Sequence, residues 1–225
     1  MNRNGLSNIL ERKRLPSPTI TPQALAYEGD YLFTSSRDLG MLYKIHMDTW
    51  EIVREIDPPG VVWAAVSAGN SEMCFTIGKG LNDDRYIYRY ALNQGFTKLF
   101  PCPDFTGSYL SFDGKHLYMS QWYEERILKL DARGNILREI AVGAEICGHT
   151  FVDGMIYVLR GRENKNNPNK SEEWSIARLD PQEDKPQVED LAGLSFAARS
   201  LTFDGEYFWS NHRAANETIS FSLPS

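Results

Sequence analysis

A turn pattern that recurs along the chain constrains the fold more than any other feature of the sequence. A glycine turn, in most copies Asp-Gly, separates two apolar runs in "YEGDYLF" from Tyr27, "SFDGKHLY" from Ser111, "FVDGMIY" from Phe151 and "FDGEYFW" from Phe203. A weaker copy, "VSAGNSEMCF", places Gly69 between the first two. Counted from their turn glycines, the copies form five units of about 45 residues, a period typical of propellers and other repeat folds.

Each unit contains further strand-like runs, and these predict how the repeat is built. A third run follows in every unit, for example "MLYKIHM" and "RILKLDA", and a fourth follows in the first four units, for example "WEIVREI" and "NILREIAV". The fifth unit ends at Ser225 without a fourth run, whereas "NILERKRL" from Asn8 closely resembles "NILREIAV" from Asn135. The N-terminus is therefore expected to supply the missing outer strand and to close the ring.

The sequence thus predicts an all-β fold, a five-bladed β-propeller with four antiparallel strands in each blade. We expect one domain over residues 1–225. The predicted blades are 21–59, 60–104, 105–143, 144–192, and 193–225 together with the N-terminal strand 8–15. No stretch combines helical periodicity with capping residues, so very little helix is expected. The Asp-Gly turns are interpreted as hairpin turns between the first and second strands of a blade.

Two segments resemble known propeller families. Residues 21–56, "TPQALAYEGDYLFTSSRDLGMLYKIHMDTWEIVREI", resemble a blade of the propeller-type glutamine cyclotransferases, which are five-bladed and cyclise N-terminal glutamine. The unit "SFDGKHLYMSQWYEERILKLDARGNILREI" is similar to streptogramin-lyase and NHL repeats. The resemblance implies a transferase (cyclase) or a lyase. The position of the cyclotransferase glutamate is Thr34 here, and the Mg²⁺-binding His and Glu set of the lyases has no counterpart in the sequence.

Composition and charge exclude several function classes. The formal net charge of −6 disfavours nucleic-acid binding, which needs an excess of Lys and Arg. No run approaches the roughly 20 apolar residues that a membrane span requires, and the N-terminal segment has no uninterrupted apolar stretch long enough for a signal peptide. We therefore expect a cytoplasmic protein with no nucleic-acid or membrane partner. Three cysteines without CxxC spacing are expected to be buried thiols.

Candidate ligand-binding residues lie at the end of the ring opposite the Asp-Gly turns. There the innermost strands begin, and the loops between the second and third strands carry several cations, which favours a funnel that attracts anions. The predicted substrate-binding residues are Gln23, Arg37, Trp63, Lys79, Ser108, Gln121, Trp122, Arg160 and Arg199. Tyr109 and Tyr123 could stack on a planar ligand. The long loop from Gly161, "GRENKNNPNKSEEW", is a candidate lid.

The first functional hypothesis is a small-molecule enzyme acting on an anionic ligand by acid–base chemistry: cyclisation, elimination or acyl transfer. His149 and His212 are the candidate catalytic residues, because imidazole titrates near neutral pH. The second hypothesis is a non-catalytic propeller that binds a ligand or a protein, since one fold hosts unrelated functions. A divalent metal is a third possibility without supporting ligand spacing, so no cofactor and no metal ligand are assigned.

Overall fold

A computed structural model describes residues 6–69, 71–80, 84–162 and 173–224. In chain order its strands are β1 (Leu10–Pro16), β2 (Pro22–Glu28), β3 (Tyr31–Ser36), β4 (Leu42–His46), β5 (Ile52–Ile56), β6 (Val61–Gly69), β7 (Glu72–Gly78), β8 (Tyr86–Ala91), β9 (Gly95–Pro101), β10 (Leu110–Phe112), β11 (Leu117–Gln121), β12 (Arg126–Leu130), β13 (Ile136–Ala141), β14 (Glu145–Val152), β15 (Met155–Arg162), β16 (Glu173–Leu179), β17 (Glu189–Leu194), β18 (Ala198–Phe203), β19 (Phe208–His212) and β20 (Glu217–Ser222). Helix in the described residues is limited to two short 3-10 segments, Pro103–Phe105 and Arg213–Ala215.

The strands form five antiparallel sheets of four, which confirms the predicted five-bladed propeller. The first four blades run β2 to β5, β6 to β9, β10 to β13 and β14 to β17, in sequence order from the axis outward. The fifth blade has the order β18-β19-β20-β1. The loop that was predicted as a lid falls largely on residues 163–172 and lies outside the described residues.

The N-terminal strand closes the ring as predicted. β1 pairs antiparallel with β20, from Leu10 opposite Ser222 to Pro16 opposite Glu217, with one irregularity between Glu11 and Lys13. The strand occupies residues 10–16, displaced slightly from the predicted 8–15. At the other seam β17 continues to Leu194, two residues beyond the predicted end of the fourth blade at residue 192.

The Asp-Gly pairs form the hairpin turns between the first and second strands. Gly114 and Gly205 have φ of 90° and 100°, a backbone region that favours glycine. The carboxylate of Asp204 accepts hydrogen bonds from the backbone N–H groups of Glu206 (2.8 Å) and Tyr207 (2.6 Å), and Asp113 accepts the equivalent bonds in the third blade. These aspartates are turn formers, and their repetition marks one end of the ring.

The core lies between neighbouring blades, because each inner strand is covered on both faces. Phe75, Tyr118 and Phe221 are fully buried on the second or third strands of three different blades. Side chains also bond the backbone of the next blade: Ser35 Oγ donates to Val62 O (2.9 Å) and Ser200 Oγ donates to Gln23 O (2.8 Å). The three cysteines are buried, as expected. No helix in the described part of the chain is long and apolar enough to cross a bilayer.

Candidate functional site

A cavity of about 500 Å³ opens at the end of the ring opposite the Asp-Gly turns. This end, called the mouth end below, carries the loops between the second and third strands of each blade and the crossings from one blade to the next. Residues of the first, second, third and fifth blades line the cavity. Its volume lies within the range of ordinary small-molecule sites.

The floor of the mouth cavity is formed where the innermost strands begin. Gln23, at the start of β2, is 3% exposed and ties three blades together. Its Nε2 donates to Trp63 O in the second blade (3.2 Å), and its Oε1 accepts from Arg213 Nη1 in the fifth blade (2.5 Å). Ser108 occupies the equivalent position in the third blade and is also buried. These bonds fix the floor before a ligand arrives.

Three arginines, Arg37, Arg85 and Arg213, line the mouth cavity. The guanidinium carbon of Arg85 lies 4.2 Å from the centroid of the Trp63 ring, and that of Arg37 lies 6.0 Å from it. Burial lowers the pKa of Arg213, and the neighbouring cations Arg199 and Arg37 lower it further. The arginine positive charges are thus held close enough to repel one another.

Several arginines elsewhere in the described structure are paired with carboxylates. Arg14 pairs with Glu11 and Glu217, and Arg178 pairs with Glu189 at 2.6 Å. In contrast, neither Arg37 nor Arg213 forms an ion pair with any carboxylate among the described residues. In a chain with a net charge of −6, this cavity therefore holds two arginines without an ion-paired carboxylate, although the nearby charge of Asp38 partly opposes the lowering of the Arg213 pKa.

Aromatic rings form much of the cavity wall: Trp63, Tyr109, Trp122 and Tyr123. Trp122 and Tyr123 stack with ring centroids 5.9 Å apart and planes 8° apart. Arg199 lies behind this wall, with its guanidinium carbon 5.4 Å from the Trp122 ring and 4.8 Å from the Trp174 ring. Such cation–π contacts fix the charge in place without neutralising it.

Tyr109 contributes a buried phenol to the same cavity. Burial raises its pKa to about 12, and the nearby charges of Arg199 and Arg213 only partly oppose this shift. Gln23 contributes a side-chain hydrogen bond that also lowers the pKa. Because the pKa is about 12, the hydroxyl is protonated at neutral pH and can act as a hydrogen-bond donor.

Two carboxylates, Asp104 and Glu124, also border the cavity. Asp104 lies in the crossing from the second to the third blade, where it and Phe105 both have positive φ, 55° and 53°. Non-glycine residues rarely adopt this conformation, and it often occurs at functional sites. Arg126 lies 3.5 Å from the Asp104 carboxylate, which is 72% exposed.

Six of the nine predicted binding residues come together at the mouth cavity. They are Gln23, Arg37, Trp63, Ser108, Gln121 and Trp122. Arg199 lies behind the cavity wall, as described above. Lys79 borders a separate cavity of about 230 Å³ at the second blade. Arg160 is 8% exposed and its Nη1 pairs with Asp190 at 2.8 Å.

Neither predicted catalytic histidine lines the mouth cavity. His149 is 1% exposed and lies between the third and fourth blades, where Nδ1 is 2.7 Å from Ser111 Oγ and Nε2 is 3.2 Å from Tyr109 O. Both of its ring nitrogens are therefore occupied. His212 packs against Phe196 and lies 3.4 Å from Glu217. The structure places both histidines in contacts within the fold.

Several lining residues were not among the predicted binding residues. Arg85 precedes β8 and Thr106 follows a short 3-10 segment, so neither belongs to a repeating strand. The segment "PCPDFTG", rich in Pro, Asp and Gly, indicates the irregular crossing that carries Asp104 and Thr106. Arg213 directly follows His212 and lies between β19 and β20, in one of the loops at the mouth end.

The structure also bears on the resemblance to cyclotransferases and on metals. Thr34, at the position of the cyclotransferase glutamate, is buried and donates from Oγ1 to Ala24 O (3.0 Å). It also contacts Asn211, whose Nδ2 is 3.3 Å away, and it does not line the mouth cavity. Within the described ranges, no group of three or more His, Cys, Asp and Glu side chains is arranged to hold a metal ion.

Comparisons with known proteins support the fold alone. No protein-family model and no curated protein sequence matches the chain. Hydrazine synthase from Kuenenia stuttgartiensis is a similar solved structure, with 12% identity, a TM-score of 0.58, and coverage of 88% of this chain and 64% of that chain. PQQ-bound aldose sugar dehydrogenase from Streptomyces coelicolor has 11% identity, a TM-score of 0.57, and coverage of 96% of this chain and 98% of that chain. Virginiamycin B lyase from Staphylococcus aureus with quinupristin has 13% identity, a TM-score of 0.55, and coverage of 94% of this chain and 99% of that chain. The chain spans less than two thirds of the hydrazine synthase chain. A streptogramin-lyase-type propeller is thus among the similar folds, and enzymes of different kinds share the architecture.

Proposed function

We propose that the mouth cavity binds a small organic anion. The observation that carries this proposal is the pair of cavity arginines, Arg37 and Arg213, without a carboxylate partner among the described residues. Arg199 adds a further positive charge next to the Trp122 ring. A ligand carboxylate or phosphate would offset their repulsion and accept their hydrogen bonds.

The surroundings favour a strong interaction with such an anion. The arginines line a concave site whose walls include aromatic rings, and a concave site lined by cations focuses the electric field. Arginine also presents several N–H donors in a plane, which matches the geometry of a carboxylate or phosphate. Because Gln23 already holds Arg213, part of the ordering cost is met in the unbound protein.

The experiment is a calorimetric titration of the purified protein with sodium butyrate and sodium phosphate at constant ionic strength. Arg37→Gln and Arg213→Gln are each expected to weaken binding about tenfold, as expected for loss of a charged hydrogen bond of about 1.4 kcal/mol. Arg133→Gln, in an exposed turn of the third blade at the opposite end, is the matched control and should leave the affinity unchanged. Equal affinities for all four proteins would contradict the proposal.

A second candidate function is acid–base catalysis on the bound anion, as in a cyclisation, elimination or acyl transfer. It is favoured by the two carboxylates and the phenol that share the cavity with the arginines: Asp104, Glu124 and Tyr109. Asp104 is the first choice because its backbone is held in an unfavourable conformation beside the cavity. Tyr109 is suited to donate a hydrogen bond to a developing negative charge.

This candidate is tested by following conversion of an identified ligand by NMR. If the cavity is catalytic, Asp104→Asn or Glu124→Gln should lower the rate at least about a hundredfold, the usual contribution of a general acid or base. His212→Gln should retain the rate, because His212 does not line the cavity. If the wild-type protein bound the ligand without converting it, the catalytic function would be rejected and the binding function would be retained.

A further inference from the structure

Exposed apolar side chains are unevenly distributed over the described surface. Six of the eleven large ones lie on the outermost strands β1, β5, β9 and β13, and Leu92 lies in a turn at the opposite end. The other four lie on the segments that surround the mouth cavity, and we call them the apolar collar. They are Ile20 (48% exposed), Leu39 (53%), Phe105 (46%) and Tyr123 (88%).

The apolar collar belongs to the same segments as the cavity lining. Tyr123 itself lines the cavity, and Phe105 lies between the lining residues Asp104 and Thr106. Leu39 is two residues from Arg37 in the β3–β4 loop, and Ile20 is three residues from Gln23 in the crossing to β2. The apolar collar therefore lies on the chain segments that also carry lining residues of the mouth cavity.

The two aromatic members of the collar are held in place in the unbound protein. The Tyr123 ring stacks flat on Trp122 although most of its surface is exposed. The Phe105 ring meets Tyr86 at a centroid distance of 6.0 Å and an angle of 64°. A ring that is already held in place loses less side-chain conformational entropy when a ligand binds than a mobile side chain does. The collar is thus prepared for apolar contact.

The opposite end of the ring has a different chemical character. Its cavity of about 280 Å³ is bordered by Asp30, Asp48, Asp204 and Glu206. Only one large exposed apolar residue of the described chain, Leu92, lies in a turn there. The combination of several cavity-lining arginines with a group of exposed apolar side chains is therefore found at the mouth end.

We propose that the ligand of the mouth cavity is an amphipathic acid, with its anionic group toward Arg37 and Arg213 and an aliphatic or aromatic part against the apolar collar. This inference rests on the proposed function and names its ligand class. A uniformly polar acid would satisfy the arginines but leave the collar in water. Arginines inside the cavity and apolar side chains around it together favour a molecule with an anionic group at one end and an apolar group at the other.

The test is a calorimetric series with sodium acetate, butyrate, hexanoate and octanoate at constant ionic strength. Each methylene that the collar covers should increase the affinity about threefold to fourfold, the equivalent of the usual transfer free energy of a methylene group. 1-Hexanol, which has the chain but not the charge, should bind at least tenfold more weakly than hexanoate.

Variants of the collar separate this inference from the proposed function. The double variant Ile20→Ser with Leu39→Ser, both at exposed positions outside the cavity lining, should weaken octanoate binding at least fivefold and leave butyrate unchanged. Leu92→Ser at the opposite end is the matched control. Affinities that are independent of chain length, with the arginine variants still weakened, would overturn the amphipathic ligand and leave the anion site in place. Failure of every acid to bind would overturn the proposed function itself.

Discussion

His149 Nδ1 lies 2.7 Å from Ser111 Oγ, across the boundary between the fourth and third blades. The other ring nitrogen, Nε2, lies 3.2 Å from the carbonyl oxygen of Tyr109, so the imidazole joins two blades by both of its nitrogens. Both partners belong to the third blade near the axis, and one of them, Tyr109, also lines the mouth cavity. A buried histidine in this position stabilises the seam only while it is neutral.

This contact predicts how stability depends on pH. Burial lowers the pKa of His149 from 6.5 to about 4, and the hydrogen bond to Tyr109 O opposes the shift only in part. Between these values the unfolded chain binds a proton that the folded chain does not. The free energy of unfolding should therefore fall by about 3 kcal/mol as pH is lowered from 6.5 to 4.

Urea unfolding at several pH values between 4 and 7.5 measures this slope. His149→Gln is expected to remove the part of the slope that comes from His149, because glutamine does not take up a proton in this range. His46→Gln serves as the control and should keep the wild-type slope. If His149→Gln had the same pH dependence as the wild-type protein, the account of this seam would be wrong.

The fourth and fifth blades lie very close to each other at Gly148. A Cβ atom added there would lie 2.5 Å from the carbonyl carbon of Ser200 and 2.6 Å from the backbone nitrogen of Leu201. Backbone atoms cannot move aside without shifting a whole strand. Gly148→Ala should therefore lower the free energy of unfolding by about 3 kcal/mol.

The matched variant is Gly80→Ala, since a Cβ at Gly80 would meet open space. It should change stability by less than about 0.5 kcal/mol. Thermal and urea unfolding compare the two proteins under the same conditions. An equal and small effect of both substitutions would show that the seam is looser than described.

Asp204 combines a turn with a packing contact in the fifth blade. Besides the two turn N–H groups, its carboxylate accepts a hydrogen bond from Trp209 Nε1 at 2.7 Å. Trp209 is 2% exposed and stacks on Trp50 of the first blade. Asp204→Ala leaves a buried indole N–H without its partner, so we expect a loss of about 2–3 kcal/mol in urea unfolding.

Asp180→Ala provides the comparison, because among the described residues the Asp180 carboxylate accepts one hydrogen bond, from the backbone N–H of Gln182. Its loss should be below about 1 kcal/mol. Asp204→Asn should retain much of the stability, since an amide oxygen can still accept. A cost for Asp204→Ala no larger than that for Asp180→Ala would rule out the contribution of the indole bond.

Closure of the ring by β1 predicts a large effect of truncation. β1 and β20 pair over the length of the fifth blade, and Trp50 Nε1 donates to Pro16 O at 2.8 Å. Deleting residues 1–16 removes this ladder and exposes the edge of β20, so we expect a loss of about 5 kcal/mol. A synthetic peptide of residues 6–18 should restore part of the stability when added to the truncated protein. Unchanged unfolding of the truncated protein would contradict the closure.

The repeat was enough to predict the fold because blade strands recur with the same chemistry. Turn glycines such as Gly114 and Gly205 fixed the register, and the similarity of the segments at Asn8 and Asn135 revealed the closure. These features depend on local sequence and on period, which a single chain displays directly. The order of the strands in each blade also predicted that a ligand site would lie at the end of the ring opposite the Asp-Gly turns.

The orientation of individual side chains could not be predicted in this way. His149 and Tyr109 hold equivalent positions in their blades, yet the ring of His149 lies in the seam and Tyr109 lines the cavity. The direction of each side chain depends on local irregularities of its strand, such as the register shift between Ile146 and Gly148 in β14. Arg85 and Thr106 lie in irregular segments that have no counterpart in the repeat.

The central claim is that the mouth cavity binds an organic anion, and the five indole N–H signals of the protein test it directly. Trp63 and Trp122 line the cavity, whereas Trp50 and Trp209 stack on each other outside its lining. A ¹H–¹⁵N correlation spectrum, with indoles assigned by Trp→Phe substitution, should be recorded during titration with sodium hexanoate. We expect saturable shifts of the Trp63 and Trp122 signals and none for Trp50 and Trp209. Unchanged Trp63 and Trp122 signals at saturating hexanoate would contradict the account.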